Sequence, residues 1–152
     1  MPVALLDTNV LVYAVYRQSP LHSPASLLVN EALKGRRSRY CISPQNLVEF
    51  CAVVTRARFV DPPLPMPEIL RMTSLLYRSR RLTKIYPRRA TVARTVREGS
   101  SLGISGPAWY DLYLAMTMRE AGVEVIITEN TDDFKRFPFV TARRIEQALK
   151  MP

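Results

Sequence analysis

Histidine is almost missing from this sequence: His22 is the single one in 152 residues. One imidazole cannot build a His-rich zinc site, and its isolation argues against a proton relay based on histidine. It lies in Ser19-Pro-Leu-His-Ser-Pro24, near the start of a helical pattern, and reads as structural or solvent-exposed. Cysteine is nearly as scarce. Cys41 and Cys51 lack Cys-x-x-Cys spacing and fall in a strand-like and a helical run, so both are expected to be reduced core residues. No stretch approaches the roughly 18 apolar residues that a membrane helix needs, so no membrane span is expected. The N-terminus shows no cationic segment ahead of its apolar run and no small-residue cleavage site. Met1 therefore reads as the start of a cytoplasmic chain. The length suits one domain, residues 1–152, able to bury a core without disulfide or metal staples.

Acids are the other shortage. Thirteen Asp and Glu face 22 Lys and Arg, a formal charge of +9. Eighteen of those cations are Arg, whose planar fork binds phosphate bidentately and stacks on bases. The excess is also local. From Ile69 to Arg97 the chain carries Arg71, Arg78, Arg80, Arg81, Lys84, Arg88, Arg89, Arg94 and Arg97 with no acid among them. The plain reading is a solvated helical face; the functional one is a surface for a polyanion, with Arg78, Arg80, Arg81, Arg88 and Arg89 as candidate RNA contacts.

Along the chain, short apolar runs alternate with helical patterns. Val3 to Leu6, Arg39 to Ile42, Thr83 to Tyr86, Glu124 to Thr128 and, more weakly, Phe139 to Ala142 read as strands. Helices are expected over Val10 to Tyr16, Ala25 to Leu33 with Gly35 as its stop, and Pro44 to Arg56 behind a Ser43 cap. Further helices are expected over Glu68 to Ser79, Pro87 to Leu102 and Pro107 to Ala121 with Gly122 as its stop, and a terminal turn or helix over Ile145 to Lys150. Between the third and fourth of these, Asp61-Pro-Pro-Leu-Pro-Met-Pro67 reads as a stiff loop rather than a linker. Strands alternating with helices predict an α/β sandwich around a parallel sheet of four to five strands.

Three of the few acids sit inside apolar runs. They are Asp7 after Val-Ala-Leu-Leu, Glu49 in Leu47-Val-Glu-Phe-Cys-Ala-Val-Val54, and Asp111 in Trp109-Tyr-Asp-Leu-Tyr-Leu-Ala115. A buried carboxylate is costly unless paired or bound to a cation, and any one of these alone would be read as exposed. Topology changes that reading. In a parallel α/β sheet, ligands bind at the edge where strands end. Asp7 ends the first strand, Glu49 lies early in the helix after the second, and Asp111 lies early in the helix before the fourth. Thr128-Glu-Asn-Thr-Asp-Asp-Phe134 follows the fourth strand on the same rim, adding Thr128, Asn130, Asp132 and Asp133 as oxygen donors. Hard oxygen donors without His or paired Cys describe a Mg²⁺ or Mn²⁺ site that keeps several waters. A divalent ion held by acids in a basic protein suggests phosphodiester chemistry.

At these residues the chain resembles the PIN-domain nucleases, and most of all the VapC toxins of bacterial type II toxin–antitoxin systems. The ordered motifs are Leu6-Asp-Thr-Asn-Val-Leu11, Ser43-Pro-Gln-Asn-Leu-Val-Glu49, Asp111-Leu-Tyr-Leu-Ala115 and Thr128-Glu-Asn-Thr-Asp-Asp-Phe134, spread over nearly the whole chain. The resemblance implies a PIN-like α/β/α sandwich, Mg²⁺-dependent endoribonuclease activity, dimerisation, and inhibition by a cognate VapB-type antitoxin. Asp7, Glu49 and Asp111 match the family's three invariant acids. The usual fourth position is Asn130 here instead of Asp, with Asp133 as the compensating acid. Both are taken as ligands, and the substitution puts a second metal ion in doubt. Thr8, Asn9 and Thr128 are expected to hydrogen-bond the ligand carboxylates, while Glu129 and Asp132 are left as surface residues.

The mechanism expected is cleavage of single-stranded RNA by an activated water, assembled by Asp7, Glu49, Asp111 and Asp133. Rivals are a housekeeping PIN nuclease of RNA maturation, a non-catalytic RNA-binding PIN domain, and a phosphatase. The phosphatase needs a second Asp two residues after the first, where Asn9 stands. A dimer interface is sought in Leu64, Met66, Ile69, Leu70, Met72, Leu75 and Leu76, with core packing as the alternative.

Overall fold

The computed structural model describes residues 3–35 and 39–151, so the reading of Met1 lies outside the described residues. In chain order come β1 (Ala4–Leu6), α1 (Thr8–Val15), α2 (His22–Lys34), β2 (Tyr40–Ile42), α3 (Pro44–Val54), α4 (Met66–Arg78) and β3 (Thr83–Lys84). They are followed by α5 (Thr91–Leu102), α6 (Ala108–Glu120), β4 (Val125–Ile127), α7 (Thr131–Phe134), β5 (Thr141–Arg143) and α8 (Ile145–Leu149). The strands form one sheet ordered β3-β2-β1-β4-β5, and every neighbouring pair is parallel. This is the sandwich expected, at the upper end of its strand count.

Period-two alternation divides the core between the faces of the sheet. Leu5, Cys41 and Ile126 pack with α6 residues Leu112, Ala115 and Met118 and with Phe134 and Phe137. Ala4, Leu6, Tyr40, Ile42 and Ile127 pack with Val10, Leu28, Phe50, Ile69 and Ile145 from the helices of the opposite face. Coverage on both sides explains why the central strands read as unbroken apolar triplets. Each fully buried Leu or Ile contributes about 1.5–3 kcal/mol. Cys41 is buried, Cys51 is half-buried, and both thiols are free. Burial pushes the Cys41 thiol up to about 12, so it stays protonated at neutral pH.

Several boundaries moved for local reasons. The helix expected from Pro87 begins at Thr91, because the Thr91 hydroxyl takes the Arg88 N–H at 2.7 Å and holds residues 87–90 outside the helix. Gly103 closes that helix at φ 60°, and Gly122, at φ 71°, follows the end of α6 as expected. α2 starts earlier than expected, at His22, with Pro24 in its first turn, where a missing N–H costs nothing. The four-residue α7 was not expected at all. On α4, Ile69, Met72 and Leu76 turn into the core, whereas Met66, Leu70 and Leu75 stay exposed. No described helix is long and apolar enough to cross a membrane.

Candidate active site

The register of the sheet builds the site's first contact. Leu6 pairs with Ile127, which brings the next residues, Asp7 and Thr128, side by side where the two strands end. The Thr128 hydroxyl donates to Asp7 Oδ2 at 2.7 Å, and the Asn9 amide donates to the same oxygen at 3.1 Å. Asp7 Oδ1 accepts the Thr8 N–H at 2.7 Å, so Asp7 also caps α1. Thr128 is saturated in turn, accepting from Asn9 Nδ2 at 2.9 Å and from the Asn130 N–H at 3.1 Å. Despite these donors, burial dominates and raises the Asp7 carboxyl to about 6, with Glu49 and Asp133 adding repulsion.

Glu49 arrives on α3, whose start is fixed by a reciprocal cap: the Asn46 side chain accepts the Ser43 N–H at 2.9 Å while the Asn46 N–H reaches the Ser43 hydroxyl. Both carboxylate oxygens of Glu49 are held, Oε2 by the Thr8 hydroxyl at 3.0 Å and Oε1 by Gln45 Nε2 at 2.8 Å. Asp111 lies in the first turn of α6. Its carboxyl is also raised to about 6, first by burial and then by Asp133, Asp7 and Glu49, with Arg136 opposing. Asn130 and Asp133 sit at the start of α7, both exposed at the rim.

Asp7, Glu49, Asp111, Asn130 and Asp133 therefore line one cavity of about 450 Å³, shared with Thr8, Asn9, Val12, Tyr13, Ala52, Val53, Phe59 and Phe134. Four carboxylates converge there, and among the described residues no Lys or Arg lines it. Among the described residues, no three His, Cys, Asp or Glu side chains form a ready-made coordination sphere. Mg²⁺ does not require one, because it binds through one or two carboxylates and keeps its remaining waters. An all-oxygen donor set whose charges repel one another fits a hard divalent cation and does not fit zinc.

The remaining candidates divide. Asp132 is exposed and paired with Lys135, as expected of a surface residue. Glu129 is not a free surface residue: its Oε1 accepts the Ile145 N–H at 3.0 Å and so ties the rim to α8. His22 is structural, its Nδ1 bonded to the Tyr13 carbonyl at 3.0 Å. Arg78, Arg80, Arg81, Arg88 and Arg89 are exposed, but none lines the acidic cavity. Arg78 lines a separate groove with Arg71 and Lys34, and Arg88 donates to the Glu120 carbonyl at 2.9 Å. Sequence reasoning missed Gln45, which also bonds the Tyr110 carbonyl at 3.1 Å, and it missed Tyr13 and Phe59. Gln45 was legible in principle, one helical turn before Glu49.

Residues 4–140 match the PIN domain. The chain belongs to the PIN-domain family. Ribonuclease VapC24 of Mycobacterium tuberculosis is 28% identical to this PIN domain over 135 residues, which is 88% of this chain and 90% of that protein. VapBC-1 from nontypeable Haemophilus influenzae superposes with a TM-score of 0.63 at 18% identity, covering 95% of this chain and 98% of that one. Mycobacterium tuberculosis VapC20, described as a Sarcin-Ricin loop cleaving toxin, gives a TM-score of 0.61 at 11% identity, over 81% of this chain and 86% of that one. At these identities the solved structures show a shared PIN fold.

Proposed function

We propose that this PIN domain is the toxin of a type II toxin–antitoxin pair, a Mg²⁺-dependent endoribonuclease that cuts single-stranded RNA in the cytoplasm. The observation that carries this reading is the convergence of Asp7, Glu49, Asp111, Asp133 and Asn130 on one cavity that, among the described residues, has no basic lining. The similarity to Ribonuclease VapC24 and to VapBC complexes supports the choice of RNA, of a VapB-type antitoxin and of a homodimer as partners.

Asp7, Glu49, Asp111, Asp133 and Asn130 would hold Mg²⁺, with Mn²⁺ as a substitute. When bound there, the ion supplies an acidified water as nucleophile and offsets charge on the phosphate. The chain's own contribution is positioning. Thr128, Asn9 and the Thr8 N–H fix both Asp7 oxygens, and Thr8 and Gln45 fix both of Glu49. Those bonds leave the carboxylates few orientations to lose when a cation binds. Water, not the ribose 2′-hydroxyl, is the nucleophile in this reading, so the products carry 5′-phosphate and 3′-hydroxyl ends.

The test is to incubate the purified chain with total cellular RNA in Mg²⁺, Mn²⁺ or chelator and map the new ends. Cleavage is expected with either metal, lost on chelation, and lost in Asp7→Asn with the fold retained by circular dichroism. Chelator-resistant cutting, or wild-type rates in Asp7→Asn, would overturn the assignment. A short reading frame beside this one, whose product binds the chain and stops cutting, is expected; its absence would point to a housekeeping nuclease.

A further inference from the structure

The cavity that holds the acids has an apolar part as well, formed by Val12, Ala52, Val53 and Phe59. Phe59 is the one aromatic among these four, and it is 46% exposed. It is nevertheless not on a loose loop. The Phe59 and Val60 N–H groups both donate to the Arg56 carbonyl, at 2.9 and 3.1 Å, and the Val60 side chain beside it is buried. The Leu64 N–H then returns to the Val54 carbonyl at 2.8 Å, closing the segment onto the end of α3.

Two exposed cations lie over the ring. The guanidinium carbons of Arg56 and Arg58 lie 5.2 and 5.5 Å from its centroid. Neither arginine takes part in an ion pair among the described residues, where the pairs are Arg94 with Glu120 and Lys135 with Asp132. An anchored, half-exposed aromatic ring covered by two exposed guanidiniums that have no carboxylate partner can exchange that cover for a flat base, the arginines moving onto its phosphates, and this is the chemistry of an unpaired nucleotide. The cavity, at about 450 Å³, is large enough for a nucleotide.

We infer that Phe59, flanked by Arg56 and Arg58, is the platform on which one unpaired RNA base stacks while the neighbouring phosphodiester lies among the carboxylates. Phe59 then selects which phosphate is presented, and the two arginines hold the strand on either side of the stacked base. This rests on the nuclease reading above and adds to it the residues that choose the cleavage position.

The experiment measures binding and cutting separately. Fluorescein-labelled oligo(A) and oligo(U), about twelve nucleotides long, are titrated by anisotropy against wild type, Phe59→Ala, Phe59→Leu and Phe59→Trp, in Ca²⁺. The same oligomers with one abasic ribose at each position follow. Phe59→Ala and Phe59→Leu are expected to weaken binding about tenfold, and Phe59→Trp to restore it. One abasic position should weaken wild type by a similar factor and cost Phe59→Ala nothing further. In Mg²⁺ the loss should fall on KM rather than kcat. Equal binding by wild type and Phe59→Ala, full binding by Phe59→Leu, or an abasic penalty unchanged in Phe59→Ala would each overturn the inference. A wild type that binds but does not cut would sink the nuclease reading and leave this one to be judged by the binding ratios; a wild type that does not bind overturns both.

Discussion

A carboxylate taken out of water holds its proton longer, and Asp7 and Asp111 are both raised to about 6 for that reason first. The sign of the consequence follows from linkage. In the unfolded chain these groups lose their protons near the ordinary Asp value of about 3.9, whereas the folded chain keeps them to about 6. Between those values the folded state binds more protons, so stability falls as pH rises, and above about 6 the full cost is present. A bound divalent cation reverses the balance by favouring the ionised forms. Without metal, Asp111→Asn is therefore expected to be more stable than wild type by about 1 kcal/mol near pH 7.5, discounted because the group is half-exposed, and level with it near pH 4. Thermal melts in chelator at the two pH values check this. Mg²⁺ should raise the wild-type melting temperature more at the higher pH, and equal shifts at both would remove the cation from the explanation.

Helix contacts set which elements can approach the sheet. On α5, Gly99 is buried against α6, and a Cβ there would overlap the Trp109 ring and come within 3.1 Å of Leu112. Gly99→Ala gains about 1 kcal/mol of helix propensity but overpacks this contact, so the net expectation is a loss of about 1–2 kcal/mol in urea unfolding. A stabilised variant would mean that α5 can shift outward freely. The sequence showed Trp109 and the helical pattern of α6 but not this approach, which exists only once α5 and α6 are side by side. The same limit applies elsewhere. The triplets Ala4–Leu6, Tyr40–Ile42 and Val125–Ile127 were legible because burial on both faces leaves them wholly apolar. Asp7, Glu49 and Asp111 were legible because charge in such surroundings is costly. The start of α5 was not legible, since Pro87 is a sound local helix opener and the residue that overrules it, Thr91, is held by Glu120 from another helix. α7 is too short to show a period, and Phe59 lies in a loop where only tertiary contacts reveal the cavity beside it.

Across the whole molecule the charges are segregated: a formal +9 surrounds a cavity lined by four carboxylates. A polyanion placed over those acids would therefore be held by cations outside the cavity lining. The arginine-rich stretch from Ile69 to Arg97 looked like the RNA surface in sequence, yet Arg94 is paired with Glu120 at 2.7 Å and Arg88 bonds the same residue's carbonyl. Arg56 and Arg58 lie instead over Phe59, which lines the cavity. Each phosphate neutralised on a single strand contributes about 0.7 to the slope of log affinity against log salt. Replacing both Arg56 and Arg58 with Gln should therefore flatten that slope by about 1.4, whereas replacing both Arg80 and Arg89 should leave it nearly unchanged. Anisotropy titrations over a range of KCl concentrations measure both. If the second pair flattened the slope and the first did not, the strand would run over the α4–α5 side of the molecule, and the arginines first singled out by their density in the sequence would be its track.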